Sequence, residues 1–151
     1  MENFVYEYPT KVCFGKGAAG QHLPGLLAGY GPNVLLAYGG GSIKKNGVYE
    51  ELTGILKAAG KTVTEFSGIM SNPTFAKVRE GAKLAREHHI DLILAVGGGS
   101  VVDCCKIVAA QAVTDEDLWD LEMVQHKTPA AAPIPLGAVV TASGTGAEMN
   151  G

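Results

Sequence analysis

The sequence predicts an α/β fold, a Rossmann-like, doubly wound sheet of mostly parallel strands. Three observations support this fold class. Short apolar runs typical of strands alternate along the chain with longer segments whose apolar residues recur at helical spacing. A helix between each strand and the next indicates parallel strands joined by right-handed crossovers. Glycine runs follow three of these strands, which is where ligands bind in such sheets.

The first half of the chain contains two predicted strands and a helix. Residues 34–38 form an apolar run that ends at glycines, as a buried strand does. Residues 62–66 alternate like a half-buried strand, and residues 11–14 are a candidate for an extra strand at a sheet edge. Between the strands, Gly60 suits the end of a helix. The apolar face of that helix consists of Val48, Leu52, Ile55, Leu56 and Ala59.

The second half continues the alternation. Residues 92–96 are apolar throughout and predict a second buried strand, and residues 134–141 predict a further one. Residues 101–113 are apolar on nearly every side and predict a buried helix, in which Cys104 and Cys105 act as small hydrophobic residues. Another helical stripe is formed by Phe75, Val78, Ala82 and Ala85.

Two shorter features connect the last of these elements. Residues 114–119 predict a short capped helix with an acidic first turn, in which Trp119 is a packing anchor. Residues 129–135 contain three prolines and predict an extended connector, because proline disfavours helix in the residue before it.

The composition excludes several classes of protein. With 151 residues, of which 46% are hydrophobic, the chain suits one domain with a substantial core. A charged fraction of 18% and a net charge of -3 argue against disorder and against a nucleic-acid partner. No apolar stretch reaches the roughly 18–20 residues of a membrane helix, so we expect no membrane partner. Three cysteines, two of them adjacent, form no disulfide framework, so we expect a cytoplasmic protein.

Three glycine runs carry the predicted chemistry: Gly39-Gly40-Gly41-Ser42, Gly97-Gly98-Gly99-Ser100 and Ser143-Gly144-Thr145-Gly146. Glycines let the backbone approach a phosphate closely, and their N–H groups can point at its oxygens. A helix that begins directly afterwards adds its positive dipole end. The middle run fits best, because a strand precedes it and the buried helix follows it. We expect it to hold the pyrophosphate of a dinucleotide.

The alternative is that these runs are tight turns with ordinary helix caps. Residues 100–103 have the spacing of a capping box with Asp103 at the acidic position, and residues 145–148 have it with Glu148. A cap alone would explain both acids without a ligand. The occurrence of three runs at strand ends favours a nucleotide, although none has the usual Gly-x-Gly-x-x-Gly fingerprint.

Several motifs are similar to one known family. The motif Gly-Gly-Gly-Ser-Val-Val-Asp at residues 97–103, with Lys106 after it, resembles the cofactor motif of the iron-containing (group III, metal-dependent) alcohol dehydrogenases. Residues 38–47 resemble the butanol dehydrogenase branch more specifically. The similarity continues in family order through nearly the whole chain, at residues 8–17, 72–74 and 141–149.

The resemblance implies an enzyme that interconverts aldehydes and small primary alcohols such as butanol with NAD(P)H. It implies that residues 97–100 bind the pyrophosphate and that residues 39–42 lie at the adenosine ribose. It places Asp103 near the nicotinamide side of the cofactor and Asn72 near the adenine. The residues that it implies around the nicotinamide and its ribose are Thr141, Ser143 and Thr145.

The resemblance also implies a homodimer and a divalent metal, Fe²⁺ or Zn²⁺, held by one Asp and three His of a helical second domain. We expect that domain to lie beyond Gly151, so that residues 1–151 form the NAD(P)-binding domain without it. The histidines present do not replace those ligands, because His88 and His89 are neighbours and point about 100° apart on a helix. We therefore predict no metal site and no catalytic residue in this chain.

Two other functions remain open. A relative such as a glycerol dehydrogenase or a dehydroquinate synthase shares the Gly-Gly-Gly-Ser-x-x-Asp pattern, although residues 38–47 argue against it. A stand-alone nucleotide-binding module that senses redox state is the second alternative.

The first glycine run favours NADP over NAD. An NAD site usually has an acid at a strand end to bind the ribose 2′-hydroxyl, and here no acid follows residues 34–38 until Glu50. The glycine N–H groups and the Ser42 hydroxyl could bind a 2′-phosphate, with Lys44 or Lys45 adding charge. Alternatively, the two lysines are only solvent-exposed residues at the start of a helix. Because no carboxylate stands there to repel a 2′-phosphate, NADP can bind, but NAD is not excluded.

Overall fold

The computed structural model describes residues 8–150 and contains one sheet of four parallel strands, as the sequence predicts. The sheet order is β2-β1-β3-β4, with β1 (Asn33–Tyr38), β2 (Thr62–Phe66), β3 (Leu92–Gly97) and β4 (Leu136–Val140). The helices are α1 (Ala18–Leu27), α2 (Ser42–Lys45), α3 (Val48–Ala58), α4 (Phe75–Glu87) and α5 (Gly99–Gln111). A π-helical turn at Asp120–Val124 and a 3₁₀ turn at Ala147–Met149 complete the described elements.

The sheet is covered by helices on both faces. Leu35 and Ala37 of β1 pack in one core cluster with residues of α4 and α5. Val34 and Leu36, which alternate with them, pack in a second cluster with residues of α1 and α3. From β1 to β2 the chain moves towards one edge of the sheet, and from β3 to β4 it moves towards the other edge. The two connections lie on opposite faces of the sheet. Because direction and face change together, both crossovers have the same hand.

The two central strands are the most deeply buried elements. All six residues of β3 are buried, and so are five of the six in β1. Strands covered on both faces must be apolar at every position, which explains why their sequences are uninterrupted apolar runs. The outer strands β2 and β4 are only partly buried and show mixed patterns.

The cysteines of α5 are core residues, which confirms that part of the prediction. Cys104 and Cys105 are both buried among apolar side chains. Desolvation raises the pKa of the Cys104 thiol to about 11 and that of Cys105 further still. Both thiols therefore stay protonated and unreactive near neutral pH.

In the N-terminal part of the chain, one prediction is wrong and one helix was not predicted. Residues 11–14 form no strand: among residues 8–150 they have no ladder partner, and Phe14 is 98% exposed, so no core covers its side chain. Sequence reasoning also misses α1, because only Leu23 and Leu27 in it are buried and Pro24 lies inside it.

The short helix predicted at residues 114–119 begins later than expected. The Asp117 carboxylate, not Thr114, accepts hydrogen bonds from the helical N–H groups of Trp119 and Asp120, at 3.0 and 3.3 Å. This shift turns Leu118 into the core and leaves Trp119 60% exposed, so the prediction of Trp119 as a packing anchor is wrong.

No helix in the described part of the chain is both long and apolar enough to cross a membrane.

Two mid-helix glycines test how tightly the core is packed. At Gly81 of α4, a Cβ atom would lie 2.8 Å from both Phe66 Cε1 and Val108 Cγ2, whereas at Gly54 of α3 no described atom would lie within 4 Å of it. We expect Gly81→Ala to lower the free energy of unfolding by about 1–2 kcal/mol, because overpacking outweighs the gain in helix propensity. The matched control Gly54→Ala should raise it by about 0.5–1 kcal/mol. Urea denaturation measures both, and a rise for Gly81→Ala would contradict the close packing.

Candidate cofactor site

The glycine runs meet at the carboxyl edge of the sheet. In register, Tyr38 of β1 pairs with Val96 of β3, and Gly97 of β3 pairs with Val140 of β4. These three strands therefore end side by side. The chain reverses its direction of winding between β1 and β3, and a reversal of this kind opens a crevice where ligands bind in α/β sheets. The first and middle glycine runs flank this crevice.

The middle run makes a tight turn from β3 into α5. Gly97 has a φ of 154°, and a Cβ atom there would lie 2.8 Å from Val101 Cγ2. At Gly99, a Cβ atom would lie 3.2 Å from the Thr145 hydroxyl oxygen. The absence of side chains lets α5 begin directly at the crevice and lets the third glycine run lie against the middle one.

The start of α5 presents unpaired backbone donors. Within residues 8–150, the N–H groups of Gly98, Gly99 and Ser100 donate no hydrogen bond. The first N–H groups that do so at this end belong to Val101 and Val102, which both donate to the Gly98 carbonyl. Three free amides at the N-terminus of a 13-residue helix suit a phosphate or pyrophosphate group.

The capping-box alternative is wrong for both acids. Helix α5 begins at Gly99 after the N-cap residue Gly98, so Ser100 lies inside the helix and cannot cap it. Its hydroxyl instead donates to the Ser71 carbonyl at 2.6 Å. Asp103 is exposed on α5 and caps nothing in the described residues. The second box fails similarly, because the 3₁₀ turn begins after Gly146 rather than after Thr145.

Backbone hydrogen bonds bring the remaining predicted site residues to the same edge. The Gly68 N–H donates to the Gly39 carbonyl at 2.9 Å, so the loop that contains Asn72 lies beside the first glycine run. The Thr141 N–H donates to the Gly97 carbonyl at 3.0 Å, which fixes the start of the third run next to the middle one. The predicted site residues whose side chains are exposed at this edge are Ser42, Asn72, Asp103, Thr141, Ser143 and Thr145.

The first run is open to solvent. Gly40, Gly41 and Ser42 are exposed, and no atom of residues 8–150 lies within 4 Å of a Cβ atom built at either glycine. Lys44, in the short helix α2 that follows, has its Nζ atom 4.6 Å from the ring centre of Tyr49 and 5.4 Å from that of Tyr38.

Sequence reasoning misses one acid near this run. Glu65, the penultimate residue of β2, pairs with Leu36 of the neighbouring β1. Its carboxylate accepts hydrogen bonds from the hydroxyls of Tyr38, at 2.5 Å, and of Tyr49. These two donors, Tyr38 first, lower the pKa of the Glu65 carboxyl group. No local sequence pattern shows this contact, because it depends on the pairing of β2 with β1.

The described residues do not fit a catalytic metal. Across residues 8–150, no group of three or more His, Cys, Asp or Glu side chains could hold a metal ion. His88 and His89 terminate α4, and His89 adopts a positive φ of 48° there. No step that involves a metal is therefore assigned to these residues.

Comparison with known proteins identifies the family. The family model described as iron-containing alcohol dehydrogenase matches residues 9–151. The chain belongs to the iron-containing alcohol dehydrogenase family. The probable NADH-dependent butanol dehydrogenase 2 of Bacillus subtilis is 53% identical over 99% of this chain, and the NADPH-dependent aldehyde reductase of Escherichia coli is 41% identical over the same share.

The solved structures agree with this family membership. The crystal structure of NADH-dependent butanol dehydrogenase A from Thermotoga maritima matches 100% of this chain with a TM-score of 0.90 and 43% identity. The match covers 37% of that protein, and the chain spans 38% of the length of each of the two curated relatives. The α/β fold that the alternation of strands and helices predicts is thus confirmed.

Asp103 provides a test of this site, because it caps no helix. We expect Asp103→Ala to change the free energy of unfolding by less than about 0.5 kcal/mol, as for other surface positions. We also expect it to weaken NADPH binding. Chemical denaturation and nucleotide titration of the same preparation measure the two effects. A stability loss of about 1 kcal/mol with unchanged affinity would instead indicate a cap.

Proposed function

We propose that this chain is the NAD(P)-binding domain of an alcohol dehydrogenase or aldehyde reductase that acts on small primary alcohols such as butanol. The observation that carries the proposal is the set of three free amides at the start of α5, in the crevice between β1 and β3. In this proposal, Gly97, Gly98, Gly99 and Ser100 hold the pyrophosphate. One relative is named a probable butanol dehydrogenase and another an aldehyde reductase, and these names support the substrate class.

The other site residues would orient the two ends of the cofactor. The adenosine ribose would lie at residues 39–42, with Asn72 near the adenine. Asp103 would lie near the nicotinamide side, and the nicotinamide and its ribose would be lined by Thr141, Ser143 and Thr145. When bound, the cofactor supplies or accepts the hydride, and the protein positions it. The metal, Fe²⁺ or Zn²⁺, would be held by residues of the enzyme outside this chain, in a cytoplasmic homodimer.

We further propose that NADP is preferred over NAD. Relatives of both preferences are similar to this chain, at 53% identity for an NADH-dependent protein and 41% for an NADPH-dependent one. Support comes from the first glycine run, where the open space around Gly40 and Gly41 leaves room for a 2′-phosphate. The nearest acid on the adjacent strand, Glu65, already accepts hydrogen bonds from two tyrosine hydroxyls.

Titration with both reduced cofactors tests the binding proposal. We expect NADPH to bind more tightly than NADH, and we expect this advantage to shrink at high salt, because ions screen a charge-assisted phosphate contact. Isothermal calorimetry at low and high ionic strength measures both affinities. Equal affinities, or tighter NADH binding, would contradict the preference, and the absence of binding by either cofactor would contradict the function itself.

An activity assay tests the division of roles. We expect the purified 151-residue chain to show no turnover of butanal with NADPH or NADH, with or without added Fe²⁺ or Zn²⁺, because residues 8–150 offer no metal-ligand group. The decrease in absorbance of the reduced cofactor is the measurement. Metal-dependent turnover well above a protein-free blank would show that the chain holds its own catalytic metal.

A further inference from the structure

A compact cluster of charged and aromatic side chains lies beside the first glycine run, Gly39–Ser42. Its members come from four elements: Tyr38 from β1, Lys44 from α2, Tyr49 from α3 and Glu65 from β2. Tyr38 is only 3% exposed, so its ring is fixed by the core, and it immediately precedes Gly39. The Tyr38 and Tyr49 rings meet edge to face, with centroids 5.9 Å apart and an interplanar angle of 69°.

We infer that Glu65 acts through Tyr38 and Tyr49 to position the Lys44 ammonium beside the first glycine run, and that this held lysine, not Lys45, determines discrimination for the 2′-phosphate of NADPH. The inference rests on the proposed function and names residues that give its binding site specificity.

The cluster attracts the lysine ammonium group in two ways. The faces of both tyrosine rings carry partial negative charge, and the Lys44 Nζ atom lies 4.6 and 5.4 Å from their centroids, within the range of cation–π contacts. Glu65 holds both rings in this arrangement, because one carboxylate oxygen accepts from each hydroxyl. The carboxylate also contributes a negative charge on the same side.

Fixing the ammonium group matters because a free lysine loses rotamer entropy when it binds a phosphate. A lysine that is already ordered by ring contacts has lost part of that entropy during folding. Lys45 offers an internal comparison, since it carries the same charge one residue later in α2. Its side chain makes no hydrogen bond, ion pair or ring contact with any described residue.

The direction in which NADPH affinity changes when Glu65 is neutralised distinguishes a positioning role from a repulsive one. If its charge mainly repelled a 2′-phosphate, neutralising it would tighten NADPH binding. If it holds the tyrosines and Lys44 in place, the same change loosens the lysine and weakens NADPH binding. Its hydroxyl donors and its location favour positioning, because both carboxylate oxygens are already engaged within the cluster.

The test is to measure dissociation constants of NADPH and NADH, and of 2′-phospho-ADP-ribose and ADP-ribose, for matched variants of the chain. Lys44→Gln should weaken binding of both 2′-phosphorylated ligands about tenfold, the size expected for one charge-assisted contact, and leave the other two within about twofold. Lys45→Gln should leave all four within about twofold. Lys44→Arg should retain the preference, because arginine also stacks on aromatic faces and binds phosphate.

The positioning variants complete the test. Glu65→Gln and Tyr49→Phe should each weaken only the 2′-phosphorylated ligands, by about threefold, because they loosen the lysine without removing it. Thermal melts check that each variant folds. If Glu65→Gln does not fold, the affinities of Tyr49→Phe alone test the positioning role. Equal effects of Lys44→Gln and Lys45→Gln, or tighter NADPH binding by Glu65→Gln, would overturn this inference alone. Failure of the unmodified chain to bind any of the four ligands would overturn the proposed function and this inference with it.

Discussion

The tight turn at Gly97 is the constraint on which the candidate site depends. Strand β3 runs straight into α5 there, and a Cβ atom at Gly97 would lie 2.8 Å from Val101 Cγ2. Its φ of 154° lies in a region that residues with side chains rarely adopt. A larger residue would force α5 away from the strand end. The amides of Gly98, Gly99 and Ser100 would then no longer face the crevice from a fixed helix N-terminus.

The core holds this turn in place from both sides of the sheet. Strands β1 and β3 are buried on both faces, so their relative position is determined by packing against α4 and α5 on one side and against α1 and α3 on the other. Three polar contacts then connect the loops at the carboxyl edge: Gly68 with Gly39, Ser71 with Ser100, and Gly97 with Thr141. Residues 40–42 and 143–145 are exposed, whereas Gly97 is buried and residues 98–100 are half-buried, and these contacts fix the ends of all three runs.

The positive charge at the two ends of the crevice comes from different groups. At the start of α5 the positive character comes from backbone amides, which need no charged side chain. At the first glycine run it comes from Lys44, an exposed side chain that two tyrosine rings and one carboxylate hold in place. Backbone donors suit the pyrophosphate common to all dinucleotides, whereas Lys44 would contact only the 2′-phosphate that NADPH has and NADH lacks.

The sequence by itself determined the fold class, the central strands and the three glycine runs, because burial on both faces requires uninterrupted apolar residues and tight turns require glycine. Tertiary structure decided which of several locally plausible roles each residue takes. Ser100 has the spacing of a cap, yet its hydroxyl donates to the Ser71 carbonyl, since α5 begins at Gly99, two residues earlier than a cap at Ser100 would require. Glu65 reaches Tyr38 across 27 residues of chain only because β2 pairs with β1. Local sequence carries no information about such contacts, because strand order and helix register bring these residues together.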